Sequence, residues 1–463
     1  MPRTLAILPL GRSTFDVPFA EANLAAMLAA LDHAGVAMIG PRSLLLDVDQ
    51  AKTASNDVLA GAPDLVLVLQ VTFTDAAFTS EIAKRFHGPM GIWAIPESRN
   101  GGRLRLNSFC GLNLASHALG RIKRDFSWLY ADPAVPGIDE RIAALLGGSR
   151  RAGRISGKPV QAAAGPAARQ IAGSLHGTRI GRIGEPPAGF DTCHYDRQKL
   201  TMLAGVEVTE IPLNRLFETA RAGDRRQQRE QLRNDISAYT DGLDAVDAQQ
   251  LQRSLDLKLA LDEIRAAENF DAFAIRCWPE AFTEYGGAVC GPVSIMGETR
   301  TPCACEADVY GALTQIVLQR VADAPVFLSD LVDLDADDNT GVVWHCGQAP
   351  ASMRNGEATA TIHSNRRMPL LFEFALKPGR VTFARISQAH GGQQMVISGG
   401  EMLDRPNCFA GTSGVVRFDT PAVEMAEKII ASGLEHHMAL AYGDHRAALR
   451  EVAAALGLPV LEL

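Results

Sequence analysis

Three residues at the junctions between segments carry groups that could do chemistry together. Glu306 lies in Cys303-Ala-Cys-Glu-Ala-Asp308, leading into a helix expected over Val309 to Val321. Asp330 stands 24 residues further on and closes the apolar run Pro325-Val-Phe-Leu-Ser-Asp330, and His345 ends Val342-Val-Trp-His-Cys346. Strand-helix-strand connectivity brings the ends of such elements to one edge of a sheet, where open α/β folds hold ligands. Two carboxylates and an imidazole, with room left for water and substrate oxygens, suit Mn²⁺ or Mg²⁺ better than a closed zinc site. Taken one at a time, each is also explained as a helix cap or a surface charge.

The elements that must position these residues follow from hydrophobic patterning. Thr4 to Leu8 reads as a strand and Ala20 to His33 as a helix ending near Gly35. A second cycle follows, with strand Asp64 to Gln70, helix Ala76 to Phe86 and strand Met90 to Ala94. The continuous apolar run at 64–70 is of the kind buried on both faces of a parallel sheet, and the alternation predicts a doubly wound α/β unit. Gly, Ser, Arg and Ala dominate 146–165, after which Thr178 to Gly184 opens a second α/β unit. There the pattern predicts one long polar helix from about Asp224 to Asn269, leading into the strand Ala272 to Arg276. Beyond about 325 the texture turns to β, with short runs at 341–344, 358–363, 370–376, 381–386 and 394–398 separated by Asn, Gly and Pro. A helix at Pro421 to Ser432, an apolar segment at Met438 to Tyr442 and a helix at His445 to Leu456 close the chain. The fold class is therefore α/β: two doubly wound α/β domains, 1–170 and 171–322, followed by a β-rich, barrel-like C-terminal domain, 323–463.

Composition excludes several classes. Of 463 residues, 47% are apolar and 21% charged, which is globular rather than disordered. With 45 basic against 53 acidic residues the net charge is −8, and the one basic stretch, Ser149 to Lys158, reads as a solvated linker. Nucleic-acid and membrane binding are disfavoured. No secretion signal and no apolar run long enough to span a bilayer stand out, so a cytoplasmic protein is expected. The eight cysteines have neither disulfide-framework nor paired-knuckle spacing, and Cys303 and Cys305 read as buried free thiols. No Gly-rich nucleotide signature and no G-x-S-x-G elbow is present, so no organic cofactor is expected.

The segments Thr301 to Leu313, Pro325 to Asp330, His345-Cys346, Glu435-His436-His437 and Tyr442 to Arg446 resemble the L-fucose isomerase and L-arabinose isomerase superfamily over most of the chain. The order of two α/β domains and a β-rich domain is similar to that superfamily's architecture. The resemblance implies that Glu306 and Asp330 bind Mn²⁺, or another divalent metal such as Mg²⁺ or Co²⁺, and double as the catalytic acid/base pair. His345 resembles the histidine that arabinose isomerases add in the following strand. The segment Gly433-Leu-Glu-His-His437 resembles their late Gly-x-His-His ligand segment, making His437 the favoured fourth ligand and His436 the fallback. Asp330 follows the fucose pattern and His345 the arabinose pattern, which leaves the sugar open.

Such a site implies an intramolecular oxidoreductase that interconverts an aldose and a ketose through an enediol(ate). The metal polarises the carbonyl, and a carboxylate beside it takes and returns the carbon-bound proton. The expected partner is a small sugar, a pentose, 6-deoxyhexose or related compound, bound by a homo-oligomer, trimer or hexamer, to which the Phe15 to Phe19 loop contributes. Two alternatives stand beside this reading. One is isomerisation or epimerisation of an acidic, sulfonated or phosphorylated sugar, with Arg276, Arg103 and Arg105 as candidate anion contacts; the other is a non-catalytic sugar-binding protein. Trp93 to Glu97, Asn107 to Gly111 and Cys277 to Ala281 are candidate pocket linings, and equally candidate core or turn segments.

Overall fold

The computed structural model describes residues 4–149, 151–161 and 163–463. Five parallel strands form the first sheet in the order Met38–Ile39, Leu5–Leu10, Leu65–Gln70, Met90–Ala94 and Ser127–Tyr130. The strand Leu-Val-Leu-Val-Leu-Gln at 65–70 is buried throughout because helices cover both faces, as its unbroken apolar run demands. A second parallel sheet of four strands runs Cys303–Cys305, Ala272–Ile275, Arg179–Ile183 and Glu207–Ile211. In both sheets the strand order reverses beside the first strand, and it is at such switch points that α/β folds open a crevice at the carboxyl ends of their strands.

The third sheet has ten strands and is mixed. Six of them close on themselves: Gln394–Met402, Gly379–Ser387, His437–Tyr442, Phe327–Asp335, Thr340–His345 and Thr412–Phe418, the last pairing back onto the first. Each of these pairings is antiparallel, so the β-rich region is a closed barrel, which leaves no open edge in that ring. The α/β class with a barrel-like final part is thus what the chain folds into.

The single long helix expected between Asp224 and Asn269 is instead two, Arg226–Ser237 and Ala248–Glu268. Between them Thr240–Asp241 crosses to the third sheet and pairs in parallel with Ala358 and Thr359. Local turn chemistry outweighed the helical period here. Gly242 takes φ +79° after Asp241, and Asp247 restarts the helix by accepting from the Gln250 N–H at 2.8 Å. Of the basic stretch Ser149 to Lys158, Arg150 lies outside the described residues; Lys158 pairs with Val460 as an isolated bridge. All eight cysteines are free and buried. Among the described residues no helix is long and apolar enough to cross a membrane.

Candidate functional site

Glu306 follows the strand Cys303–Cys305 and precedes the helix Val309–Ala322. Both Glu306 (φ +58°) and Ala307 (φ +57°) adopt the left-handed conformation, which non-glycine residues avoid at a cost of about 1–2 kcal/mol each. This tight reversal is held because the Ala307 N–H donates to Ile275 O at 3.0 Å and the Asp308 N–H to Cys305 O at 3.0 Å. Asp308 then caps the helix, accepting from the Gly311 N–H at 2.8 Å. From this two-residue turn the Glu306 carboxylate meets the Trp278 indole N–H and His436 Nε2.

Asp330 and His437 face each other directly across the antiparallel strands Phe327–Asp335 and His437–Tyr442. Directly opposed residues in such a pair hold their Cβ atoms about 4.5–5.5 Å apart, so barrel register alone makes them neighbours. His345 ends the adjacent strand, which pairs with the other edge of Phe327–Asp335. The chain reaches His437 through Gly433, whose φ of +56° ends the helix Ala422–Ser432. Asn113 donates from Nδ2 to Leu434 O at 2.7 Å and anchors this approach.

These placements bring all four sequence-predicted residues together around one atom, His437 Nε2. It lies 3.7 Å from Glu306 Oε2 and 3.6 Å from Asp330 Oδ1. Asp330, His345 and His437 offer ligand atoms that all lie within 4.8 Å of one another, and Cys193, Glu306, His436 and His437 form an overlapping group. Asp330 Oδ1, His345 Nε2 and His437 Nε2 are buried and have no hydrogen-bond partner. Buried polar atoms are ordinarily satisfied, so three converging orphans of carboxylate and imidazole type fit the donor set of a divalent cation.

The surrounding groups orient this set. His437 Nδ1–H donates to Asp308 Oδ2 at 2.9 Å, which leaves the Nε2 lone pair facing Asp330 and Glu306. Asp308 is in turn gripped by both ends of the Arg385 guanidinium at 2.5 and 3.0 Å, and Arg385 Nε lies 3.9 Å from Glu435 Oε2. Arg385 is 0% exposed and Asp308 1%. Burial raises the Asp308 carboxyl, but Arg385 and His437 outweigh it and hold the group far below the ordinary range. Asp308 and Glu435 stand inside the motif segments but Arg385 has no motif to mark it; what gives it away is a buried ion network that only the fold assembles.

His436, the fallback imidazole, hydrogen-bonds through Nε2 to Glu306 Oε2 at 2.9 Å, and the Trp278 indole N–H donates to Glu306 Oε1 at 3.0 Å. Burial pushes Glu306 up, yet the His436 bond and the nearby imidazoles hold it at about 2. His345 Nδ1 lies 2.9 Å from the Cys346 N–H and 3.2 Å from Cys346 Sγ. While Nδ1 accepts from the backbone, Nε2 carries the ring proton, and to hold a cation there Nε2 would have to give that proton up. Cys110 sits beside the cluster: burial, then the charges of Asp330 and Glu306, push its thiol well up.

The candidate anion contacts separate on inspection. Arg276 is held by Glu280 at 2.7 Å through two nitrogens, and Arg105 by Asp16 at 2.9 Å while lying 3.4 Å over the Phe19 ring. Arg103 donates to Asn365 Oδ1 at 2.9 Å and to Thr14 O at 2.5 Å, a tie between loops. Of the pocket segments, Trp93 is a core residue donating to Ala131 O, and Glu97 is a loop anchor accepting from the Leu106 and Asn107 N–H groups; Trp278 touches Glu306, and Cys110 lies against Asp330. In the Phe15 to Phe19 segment, Phe15 packs within its own chain against Phe73, 6.0 Å between centroids.

Comparison with known proteins bears directly on this arrangement. Residues 6–150 match the family described as "Fucose/sulfoquinovose isomerase, N-terminal domain", and residues 344–463 match "L-fucose isomerase, C-terminal domain". A sulfoquinovose isomerase from Alkalicoccus urumqiensis is 31% identical over 467 residues, covering 99% of both chains. Others from Priestia aryabhattai (29%, 98% of both chains) and Clostridium sp. strain MSTE9 (30%, 95% of this chain and 94% of that one) match similarly. These matches make the chain an aldose-ketose isomerase acting on a sugar. More particularly, the chain belongs to the fucose/sulfoquinovose isomerase family.

Proposed function

We propose that this protein interconverts sulfoquinovose, a glucose bearing a sulfonate in place of the C6 hydroxyl, and its ketose, through an enediol(ate) and with a bound divalent cation, Mn²⁺ by preference. The observation that carries the reaction type is the convergence of buried, unpartnered Asp330 Oδ1, His345 Nε2 and His437 Nε2 beside Glu306. The substrate is supported by relatives of that name aligned along essentially the whole chain. Glu306, Asp330, His345 and His437 would hold the metal, with His436 left to bond Glu306. When bound, the cation supplies Lewis-acid polarisation of the sugar oxygens.

The remaining chemistry belongs to the chain's own groups. A proton leaves C2 of the aldose for a carboxylate and returns at C1, while a second moves from O2 to O1, so the composition is unchanged. Asp330 and Glu306 are the two carboxylates placed for this. Asp330 keeps one oxygen free of partners, whereas Glu306 is fixed in orientation by Trp278 and His436, and each needs only to be close and partly desolvated. His437 is held to one tautomer by Asp308, and Arg385 keeps Asp308 ionised so that it can do so. We further take the chain as three domains, 1–170, 171–322 and 323–463, working in the cytoplasm as a homo-oligomer, trimer or hexamer, which sedimentation equilibrium checks.

Deuterium uptake from heavy water tests the reading. Chelated protein should exchange no carbon-bound hydrogen, and added Mn²⁺ should give exchange at C1 or C2 of sulfoquinovose well above that of L-fucose and L-arabinose. Equal or greater exchange on the uncharged sugars would refute the substrate, and metal-independent exchange would refute the role of the cluster.

A further inference from the structure

The guanidinium group of Arg366 lies 5.3 Å from the centre of the Trp278 ring and that of Arg12 lies 5.4 Å from the same ring. Trp278 is the residue whose indole N–H reaches Glu306 Oε1, so two cations lie one aromatic side chain away from the proposed metal ligands. Arg12 has a carboxylate partner, Asp75, at 2.6 Å. Arg366 has no ion pair and no side-chain hydrogen bond among the described residues, although it is only partly exposed. Burial lowers its guanidinium, and the neighbouring Arg12 charge adds to that. Placing a second cation beside a half-buried, unpaired one costs free energy unless an anion joins them.

The loop is built to keep Arg366 there. The N–H groups of Asn365 and Arg366 donate to His363 Nδ1 at 3.2 and 3.3 Å, and those of Arg366 and Arg367 donate to His363 O at 3.2 and 2.7 Å. Burial, then the charge of Arg366, hold the His363 imidazole down at about 3, so it is a neutral acceptor at this turn. Arg103 ties the same turn to the first α/β unit through Asn365. Trp278 comes from the loop after the strand Ala272–Ile275, and Arg12 from the loop after Leu5–Leu10. Three parts of the molecule thus meet at one positively charged point.

We propose that Arg366, beside the Trp278 ring, is the site that receives the anionic end of the substrate, a sulfonate or group of like charge and shape, while the opposite end of the sugar reaches the Glu306 cluster. This rests on the function proposed above for its substrate. A planar guanidinium with free donors matches the oxygens of a sulfonate, and charge-assisted bonds of this kind are about twice as strong as neutral ones.

The test compares wild type, Arg366→Met and Arg366→Lys, each loaded with Mn²⁺, on sulfoquinovose and on 6-deoxyglucose, with calorimetric titration of propane-1-sulfonate alongside. In Arg366→Met, kcat/KM on sulfoquinovose should fall about 30-fold or more, carried by KM, and at least tenfold further than on 6-deoxyglucose. Arg366→Lys should recover part of it, and propane-1-sulfonate should bind the methionine variant at least fivefold more weakly. Parallel losses on both sugars, with sulfonate binding unchanged, would overturn the site and leave the proposed function standing. Wild type inactive on sulfoquinovose but binding propane-1-sulfonate through Arg366 would overturn the substrate and leave the site. Inactivity with no Arg366-dependent binding would overturn both.

Discussion

Replacing Asp308 by asparagine removes a buried negative charge that two partners share. Arg385 donates to it through two nitrogens, and His437 donates from Nδ1 at 2.9 Å. The amide presents one oxygen where there were two and carries no charge, so it cannot serve both partners. Residues that orient a metal-binding histidine typically change metal affinity 10–100-fold, or about 1.4–2.8 kcal/mol. Uncovering Arg385, which is 0% exposed, adds a stability cost of about 3–5 kcal/mol, the penalty of breaking a buried pair from one side. Calorimetric Mn²⁺ titration of Asp308→Asn should therefore show a dissociation constant raised 10–100-fold, together with a lower unfolding midpoint. Adding Arg385→Met and Glu435→Gln to Asp308→Asn separates the effects: the triple variant should regain stability, because neither Arg385 nor its second buried partner Glu435 is left as an unpaired charge, while Mn²⁺ affinity stays weak. Unchanged Mn²⁺ affinity in folded Asp308→Asn would refute the argument that Asp308 sets the His437 tautomer for a metal.

Further outcomes follow from the same geometry. Glu306→Gln and Asp330→Asn should each lower metal-dependent exchange by about 10²–10⁴-fold with circular dichroism unchanged, and a variant keeping full activity would remove that residue from the site. His345→Ala and His437→Ala should each reduce Mn²⁺ affinity more than they lower the midpoint of metal-free protein, read by titration and thermal unfolding. Chelation should lower the unfolding midpoint, and Mn²⁺ should restore it in a concentration-dependent way, because a ligand of the native state stabilises by mass action. For acid stability, Asp338 is held at about 2 by the Arg405 hydrogen bond, below its ordinary 3.8. A depressed carboxyl stabilises above its unfolded value and loses that contribution as pH falls towards the folded one. Asp338→Asn should therefore be less stable than wild type above about pH 4 and equal to it near pH 2, by at most about 1 kcal/mol given its partial exposure.

Some features were legible because they depend on neighbours along the chain. Unbroken apolar runs such as Leu65–Gln70 mark buried parallel strands, and short β runs split by Asn, Gly and Pro mark the barrel region, where side-chain period and turn chemistry are local properties. Local reading failed where two local signals competed, as at Asp241-Gly242, where a turn interrupts an otherwise helical pattern. Nothing in Cys305-Glu-Ala-Asp308 announces two consecutive left-handed residues either, because only tertiary hydrogen bonds such as Ala307 N–H to Ile275 O hold that strain.

For the site, the sequence by itself determined which groups exist and roughly which strand and helix ends carry them: Glu306, Asp330, His345 and the His436-His437 pair. It left open which imidazole of that pair faces the carboxylates, and it pointed to Arg276, Arg103 and Arg105 as anion contacts. Tertiary structure sets the geometry in which both questions are put. Barrel register sets His437 opposite Asp330, and Asp308 with Arg385, 77 positions apart in the chain, turns its ring, while His436 is spent on Glu306. Arg276 and Arg105 are neutralised by carboxylates, and Arg366 is left without one. Charge and hydrogen-bonding capacity are written in residue types, but whether a charge is already paired depends on distances of a few ångströms between distant segments, and only the packed chain sets those.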